Sequence, residues 1–154
     1  MEVWIRILTA VIGTVGFAIL FRLEKSRLPF AALGGFIACG VYFLFLHISK
    51  SEFIANFLGA FAATAFCEIC ARALKAPVVV FLVPCLIPLV PGKSLYYTMS
   101  SGISKDFPAF SQNGLETLEI AAGIAAGIIC TSIIFYSIKD LIPTWQNPKN
   151  KPKI

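Results

Sequence analysis

The stretch VFLVPCLIPLVPGKSLYYT, residues 80–98, decides how this chain folds, because it places three prolines and a glycine inside an otherwise apolar run. A proline removes one N–H donor from a helix and displaces the carbonyl four residues before it. Lipid offers no hydrogen bonds, so such backbone must face protein or a water-filled cavity. The prolines are Pro84, Pro88 and Pro91, and the carbonyls expected to lose their partners are those of Val80, Pro84 and Ile87.

The composition predicts an all-α integral membrane protein. The 154 residues are 58% hydrophobic and 14% charged, whereas a soluble domain is roughly 45–50% apolar and about 25% charged. A helix that crosses a bilayer needs about 20 residues, so five or six crossings would use most of the chain. Little sequence is left for a soluble catalytic domain.

Five apolar runs predict about five transmembrane helices in a single domain over residues 1–142. The first run is followed by RLEKSR rather than by small residues typical of a cleavage site, so we expect it to be a retained span. A basic tail, residues 143–154, follows the last run. The proposed spans are residues 3–21, 29–48, 53–74, 77–99 (broken) and 117–138.

The basic residues predict the orientation of these spans. As a helix, residues 77–91 would cover only about 22 Å of a roughly 30 Å hydrocarbon core, so the fourth crossing must include GKSLYYTM. With five crossings, nine of the 13 Lys and Arg residues fall on one side. By the positive-inside rule, we expect the N-terminus outside and the C-terminus in the cytoplasm.

Glu68 and Arg72 lie one turn apart near the end of the third run, and therefore share a helix face. Either the two form a structural ion pair at the membrane boundary, or they are functional. In the second case Glu68 accepts a proton or contacts a substrate ammonium, and Arg72 holds Glu68 in place or engages a carboxylate. Charged groups inside a membrane protein are usually paired or functional. The sequence leaves both interpretations open.

The residues after the last proline predict a binding site at the break. Lys93 adds a positive charge there, and the following residues supply hydroxyl groups. Discontinuous helices of this kind carry the substrate sites of secondary transporters. A proline-kinked helix covered by its neighbours, with no ligand, is the alternative. The candidate substrate-binding residues are Pro84, Pro88, Pro91, Gly92, Lys93, Ser94, Tyr97 and Thr98.

Other patterns have simpler interpretations. Cys67 and Cys70 form a single C-x-x-C without a second pair, which favours buried thiols over a metal or redox site, and we expect no metal and no cofactor. The net charge of +5 is explained by cytoplasmic loops near anionic lipid, so no nucleic acid is implied. Gly123 and Gly127 form a G-x-x-x-G face that would let another helix approach closely; Gly13 with Gly16, and Gly59 with Ala63, offer similar faces.

The run EICARALKAPVVVFLVPCLIPLVPG, residues 68–92, followed by YYTM, resembles the smaller subunit, or C-terminal half, of the bacterial threonine/serine exporter family. The lengths and spacing of the apolar runs are also similar, so the resemblance extends over nearly the whole chain. Cys85 and Lys93 depart from the pattern, because many members have glycine at each position. An added cation at Lys93 would favour anionic ligands.

The resemblance implies a function and a partner. It implies export of small amino acids such as threonine and serine, or of a small dicarboxylate, by proton antiport across the bacterial cell membrane. It also implies a larger membrane subunit that carries the other half of the exporter. A non-transporting assembly subunit of such a complex is the alternative. We expect no enzymatic activity, because no H-E-x-x-H motif, nucleophile elbow or His–carboxylate pair is present.

Overall fold

The computed structural model describes residues 2–141, so the proposed tail 143–154 lies outside the described residues. Within that range the chain is helical and contains no strand. The helices are α1 (Glu2–Leu20), α2 (Leu28–Ser49), α3 (Glu52–Ala73), α4 (Val78–Leu86), α5 (Gly92–Ile103) and α6 (Phe107–Leu141), with 3-10 turns at Lys25–Arg27 and Ile87–Leu89.

Four of these helices are long and apolar enough to cross a membrane, namely α1, α2, α3 and α6. Residues Val78–Leu89 and Gly92–Ile103 form a pair bent by 60°, which makes a fifth crossing if the pair spans as a unit. The prediction of an all-α membrane protein is therefore confirmed, with four or five candidate spans, and the break lies where the fourth span was expected. The orientation in the membrane stays a prediction.

The last helix is longer than the proposed span 117–138. It begins at Phe107, because the side chain of Asp106 accepts a hydrogen bond from the Ala109 N–H at 3.3 Å and so caps the first turn. Pro108 lies in that first turn, where its missing N–H costs little. The segment between the proposed fourth and fifth spans is therefore largely helical.

Four basic residues just after helix ends adopt the left-handed conformation. Their φ angles lie between 48° and 57°. After α1, α3 and α5 the N–H of this basic residue and the N–H of the next residue bond back to carbonyls of the helix end, as in a Schellman motif. A positive charge at this position also interacts favourably with the C-terminal end of the helix dipole. These residues are Arg22, Lys50, Lys75 and Lys105.

Helix α3 is the centre of the bundle and packs against α2, α4 and α6. It approaches α6 closely at the G-x-x-x-G face. A methyl group on Gly123 would lie 2.7 Å from the Phe53 carbonyl oxygen, and one on Gly127 would lie 2.5 Å from that of Phe57. The prediction that this face admits a neighbouring helix is confirmed.

The other glycines divide into two kinds. Gly59 faces Leu89, whose side chain would lie 3.0 Å from an added methyl group. Gly34 and Gly35 of α2 contact Cys85 and Thr14, and the sequence did not indicate this packing. Around Gly13 and Gly16 of α1 nothing lies within 4 Å of such a methyl group, so this part of α1 has no close neighbour in the described chain.

Candidate functional site

The helix break is confined to a short segment between α4 and α5. The Ile87 carbonyl accepts the Val90 N–H at 3.1 Å, and the Val90 carbonyl accepts the Gly92 N–H at 2.7 Å. The prediction that Pro91 leaves the Ile87 carbonyl without a partner is therefore wrong: a tighter i to i+3 bond, typical of a 3-10 turn, replaces the α-helical one. Most of residues 80–98 remain helical on either side.

The break borders a cavity of about 290 Å³. The cavity lies near the N-terminal part of α1, the C-terminal part of α2 and the first turns of α3 and α5. Its lining is mixed, with apolar side chains beside charged and amide groups. The lining residues are Arg6, Tyr42, Phe43, Leu46, Glu52, Asn56, Pro88, Leu89, Val90, Pro91, Gly92, Lys93, Ser94, Glu116 and Ile120.

The structure brings together most of the residues that the sequence singled out at the break. Pro88, Pro91, Gly92, Lys93 and Ser94 line the cavity.

Three candidates lie outside the lining. Pro84 is buried within α4. The Thr98 hydroxyl donates to the Ser94 carbonyl at 2.7 Å. Tyr97 is 48% exposed and its ring contacts that of Tyr96 edge to face.

Glu52, in the first turn of α3, is held by two donors. The Tyr42 hydroxyl donates to Oε2 of Glu52 at 3.0 Å, and Nδ2 of Asn56 reaches the same oxygen at 3.3 Å. Nδ2 of Asn56 also donates to the backbone carbonyl of Glu52 at 2.8 Å, which fixes the orientation of the amide. Asn56 is only 2% exposed. The carboxylate of Glu52 is therefore oriented by contacts from two helices.

A second carboxylate reaches the cavity from α6. Oε1 of Glu116 accepts a hydrogen bond from the Ser94 hydroxyl at 2.8 Å. Ser94 is 6% exposed and lies in the first turn of α5. This bond links the half-helix after the break to the long helix α6.

The charged groups of the cavity are balanced in sign. Arg6 and Lys93 are basic, and Glu52 and Glu116 are acidic. They come from four different helices. A cavity with charged groups of both signs can hold the two ends of a ligand that carries both an ammonium and a carboxylate.

Glu68 and Arg72 form an ion pair, with 3.1 Å between Nη2 and Oε2. The guanidinium of Arg72 also lies 4.6 Å from the ring centroid of Phe135 on α6. At 1.5 Å per residue, Glu68 is about 24 Å along α3 from Glu52. The pair therefore lies near the far end of α3 and joins it to α6, away from the cavity.

Sequence reasoning missed five of the polar residues that line the cavity. The sequence singled out none of them as a ligand contact. A signal was nevertheless present: Glu52 and Asn56 are one turn apart at the start of a span, so they share a face. The missed residues are Arg6, Tyr42, Glu52, Asn56 and Glu116.

The cysteines do not form a metal site in the described part of the chain. Among residues that the structure describes, no group of three or more His, Cys, Asp or Glu side chains could hold a metal ion. Cys67 and Cys70 are buried free thiols, 0% and 6% exposed. They pack as small apolar side chains.

The comparison with known proteins agrees with the resemblance noted in the sequence. Residues 6–134 match the family described as Threonine/Serine exporter, ThrE. The match includes the broken helix, the cavity and the Glu68–Arg72 pair, and it covers well over half of the chain. No solved structure matches the chain. The chain therefore belongs to the threonine/serine exporter family, a family of amino acid exporters.

Proposed function

We propose that this chain is a subunit of a secondary-active exporter of small zwitterionic amino acids, such as threonine and serine, and that it binds them in the cavity at the helix break. The observation that carries the proposal is the position of Arg6, Glu52, Lys93 and Glu116 around one cavity of about 290 Å³. Secondary transporters commonly place their substrate sites at discontinuous helices of this kind.

The charge balance favours a zwitterion over a dicarboxylate. A dicarboxylate carries two negative charges and would need a cavity with a net positive charge. Lys93 alone would favour such a ligand, but Glu52 and Glu116 offset Lys93 and Arg6. A zwitterion has no net charge, so it leaves the formal charge of the cavity unchanged. Its carboxylate would face the basic groups and its ammonium the acidic groups.

The broken helix supports a specific orientation of the ligand. Gly92, Lys93 and Ser94 form the first turn of α5 and line the cavity. The N-terminus of a helix carries a partial positive charge, so this turn adds to the charge of Lys93. We propose that the ligand carboxylate binds at the start of α5 and that its ammonium binds at the oriented carboxylate of Glu52.

The remaining parts of the proposal concern the complex. We propose that a larger membrane subunit supplies the other half of the exporter, that the complex lies in the bacterial cell membrane, and that a proton gradient drives export. The open space around Gly13 and Gly16 supports a second chain against α1. Carboxylates available in the cavity for proton exchange are Glu52 and Glu116. We propose no enzymatic role.

Uptake into inverted membrane vesicles tests the function. Vesicles from cells that produce this chain with its partner should take up labelled threonine when a proton gradient is imposed, and should not take up labelled succinate. Glu52→Gln and Lys93→Gln should each lower threonine uptake at least tenfold, because each leaves one charge of the ligand without a counter-charge. Lys105→Gln is the matched control, since Lys105 is exposed at the end of α5 and does not line the cavity.

Three other results would contradict parts of this proposal. Uptake by the partner alone, unchanged when this chain is omitted, would show an assembly subunit rather than a transport subunit. Faster uptake of succinate than of threonine would show that the cavity binds anions. Recovery of a chemically modified product would indicate an enzyme.

A further inference from the structure

The hydrogen bond between Ser94 and Glu116 places a hydroxymethyl group against a carboxylate at the edge of the cavity. The two oxygen atoms are 2.8 Å apart, and both side chains line the cavity. The side chain of Ser94 has the same chemistry as the side chain of free serine. The chain itself therefore shows how a hydroxyl group is accepted at this position.

The two carboxylates of the cavity differ in how firmly their partners hold them. Oε2 of Glu52 accepts from both Tyr42 and Asn56, and Asn56 is fixed by its second bond to the backbone carbonyl of Glu52. Glu116 accepts from one hydroxyl only, that of Ser94, within the described residues. Replacing that hydroxyl requires one side-chain rotation, whereas displacing the partners of Glu52 would break a network between α2 and α3.

We infer that Glu116 is a specificity-determining residue, which accepts a hydrogen bond from the side-chain hydroxyl of the ligand in place of Ser94. The inference rests on the proposed function and concerns the same cavity. A ligand hydroxyl takes over the bond to Glu116, and the freed Ser94 hydroxyl can turn to a backbone carbonyl of its own helix, so one hydrogen bond is gained. A ligand with a methyl group there leaves Ser94 bonded to Glu116 and gains no bond, so the site favours serine over alanine.

The ratio of serine uptake to alanine uptake measures this role. In inverted vesicles with the complete complex, the original chain should prefer serine. Glu116→Ala should lower the serine-to-alanine ratio at least fivefold, mainly through slower serine uptake. Ser94→Ala removes the internal competitor, so it should raise the apparent affinity for serine relative to that for alanine.

Glu119→Ala is the matched control. Glu119 is on the same helix, less than one turn from Glu116, carries the same charge and does not line the cavity. Its loss should leave the ratio unchanged, even if the bond from the Phe53 N–H to Oε1 at 3.3 Å is lost.

The outcomes separate this inference from the function on which it rests. If threonine and serine are transported but neither Glu116→Ala nor Ser94→Ala changes the serine-to-alanine ratio, the inference is wrong and the proposed function stands. If the original complex transports neither amino acid, both fail. If Glu116→Ala does not assemble, Ser94→Ala tests the inference alone, because it removes a single hydroxyl and should still assemble. A rise in its serine affinity supports the inference, and no rise contradicts it.

Discussion

The hydroxyl of Tyr42 and the carboxylate of Glu52 are 3.0 Å apart and join the end of α2 to the start of α3. Glu52 is half-buried and lies in the first turn of its helix. A carboxylate in that turn is stabilised by the positive end of the helix dipole. The Tyr42 bond adds a fixed direction to this carboxylate, which faces the cavity.

Tyr42→Phe should weaken substrate binding without abolishing transport. The change removes one of two side-chain donors to Glu52, and a hydrogen bond to a charged group contributes about 1.5–3 kcal/mol. Because Asn56 still holds the same oxygen, we expect a rise in the KM for threonine of about three- to tenfold, equivalent to about 0.7–1.4 kcal/mol at 1.4 kcal/mol per factor of ten. The measurement is initial uptake into inverted vesicles over a range of threonine concentrations.

Tyr136→Phe is the control for the loss of a tyrosine hydroxyl. Tyr136 is on α6, is 67% exposed and does not line the cavity. Its KM should equal that of the original chain. An unchanged KM in Tyr42→Phe would show that the orientation of Glu52 does not matter for binding.

The sequence was sufficient for the first three spans and for the position of the break. An apolar run of about 20 residues between charges has one favourable structure in lipid, because every backbone group must bond within its own helix. Runs 3–21, 29–48 and 53–74 accordingly coincide with α1, α2 and α3 to within a few residues. The prolines located the break correctly, because their effect on a helix is local.

The surroundings of the break could not be predicted in the same way. Arg6, Glu52 and Glu116 are far apart in sequence, and only the packing of α1, α3 and α6 brings them to one cavity. Glu68 lies away from that cavity for a related reason, because it is near the opposite end of α3 from Glu52. Sequence pattern specifies which face a residue occupies, but not which helix lies opposite.

Glu68→Gln should lower stability slightly and leave the dependence of export on the proton gradient intact. The ion pair with Arg72 is partly exposed, at 15% for the Glu68 side chain and 44% for that of Arg72. Exposed pairs contribute about 0.2–1 kcal/mol, so the fall in the midpoint of thermal unfolding in detergent should be small. Arg72→Gln should cost more, since it also removes the contact with the ring of Phe135.

If Glu68→Gln has normal stability but its transport no longer responds to the proton gradient, Glu68 carries the coupling proton instead. Thermal unfolding and the dependence of transport on the proton gradient should therefore be measured on the same preparation. A stability loss alone fits the structural interpretation of the pair.

Gly127→Ala should destabilise the bundle, whereas Gly13→Ala should not. A methyl group on Gly127 would lie 2.5 Å from the Phe57 carbonyl oxygen and 3.0 Å from the Phe61 amide nitrogen. Both are backbone atoms of α3, so the helices themselves would have to move apart. Overpacking of this kind costs about 1–3 kcal/mol. Gly13 has nothing within 4 Å of the added group, and Ala is favoured over Gly in a helix by about 1 kcal/mol.

Thermal unfolding of each variant in the same detergent, without a partner, measures this difference. Gly127→Ala should unfold at a lower temperature than the original chain, and Gly13→Ala at an equal or higher one. Equal stability of the two variants would contradict the close approach of α6 to α3.

Cysteine labelling at Lys75 and Lys105 should distinguish four crossings from five. Both residues follow a helix in the left-handed conformation, with φ of 48° and 57°, and both are exposed. Lys75 precedes the bent pair α4–α5 and Lys105 follows it. In a Cys130→Ser background, a membrane-impermeant maleimide added to intact cells should label Lys105→Cys and not Lys75→Cys, because the positive-inside rule places Lys75 in the cytoplasm. Inverted vesicles should give the opposite pattern.

Labelling of both positions from the same side would show that the bent pair enters and leaves the membrane on one face. The C-terminal lysines would then lie outside, against the positive-inside rule.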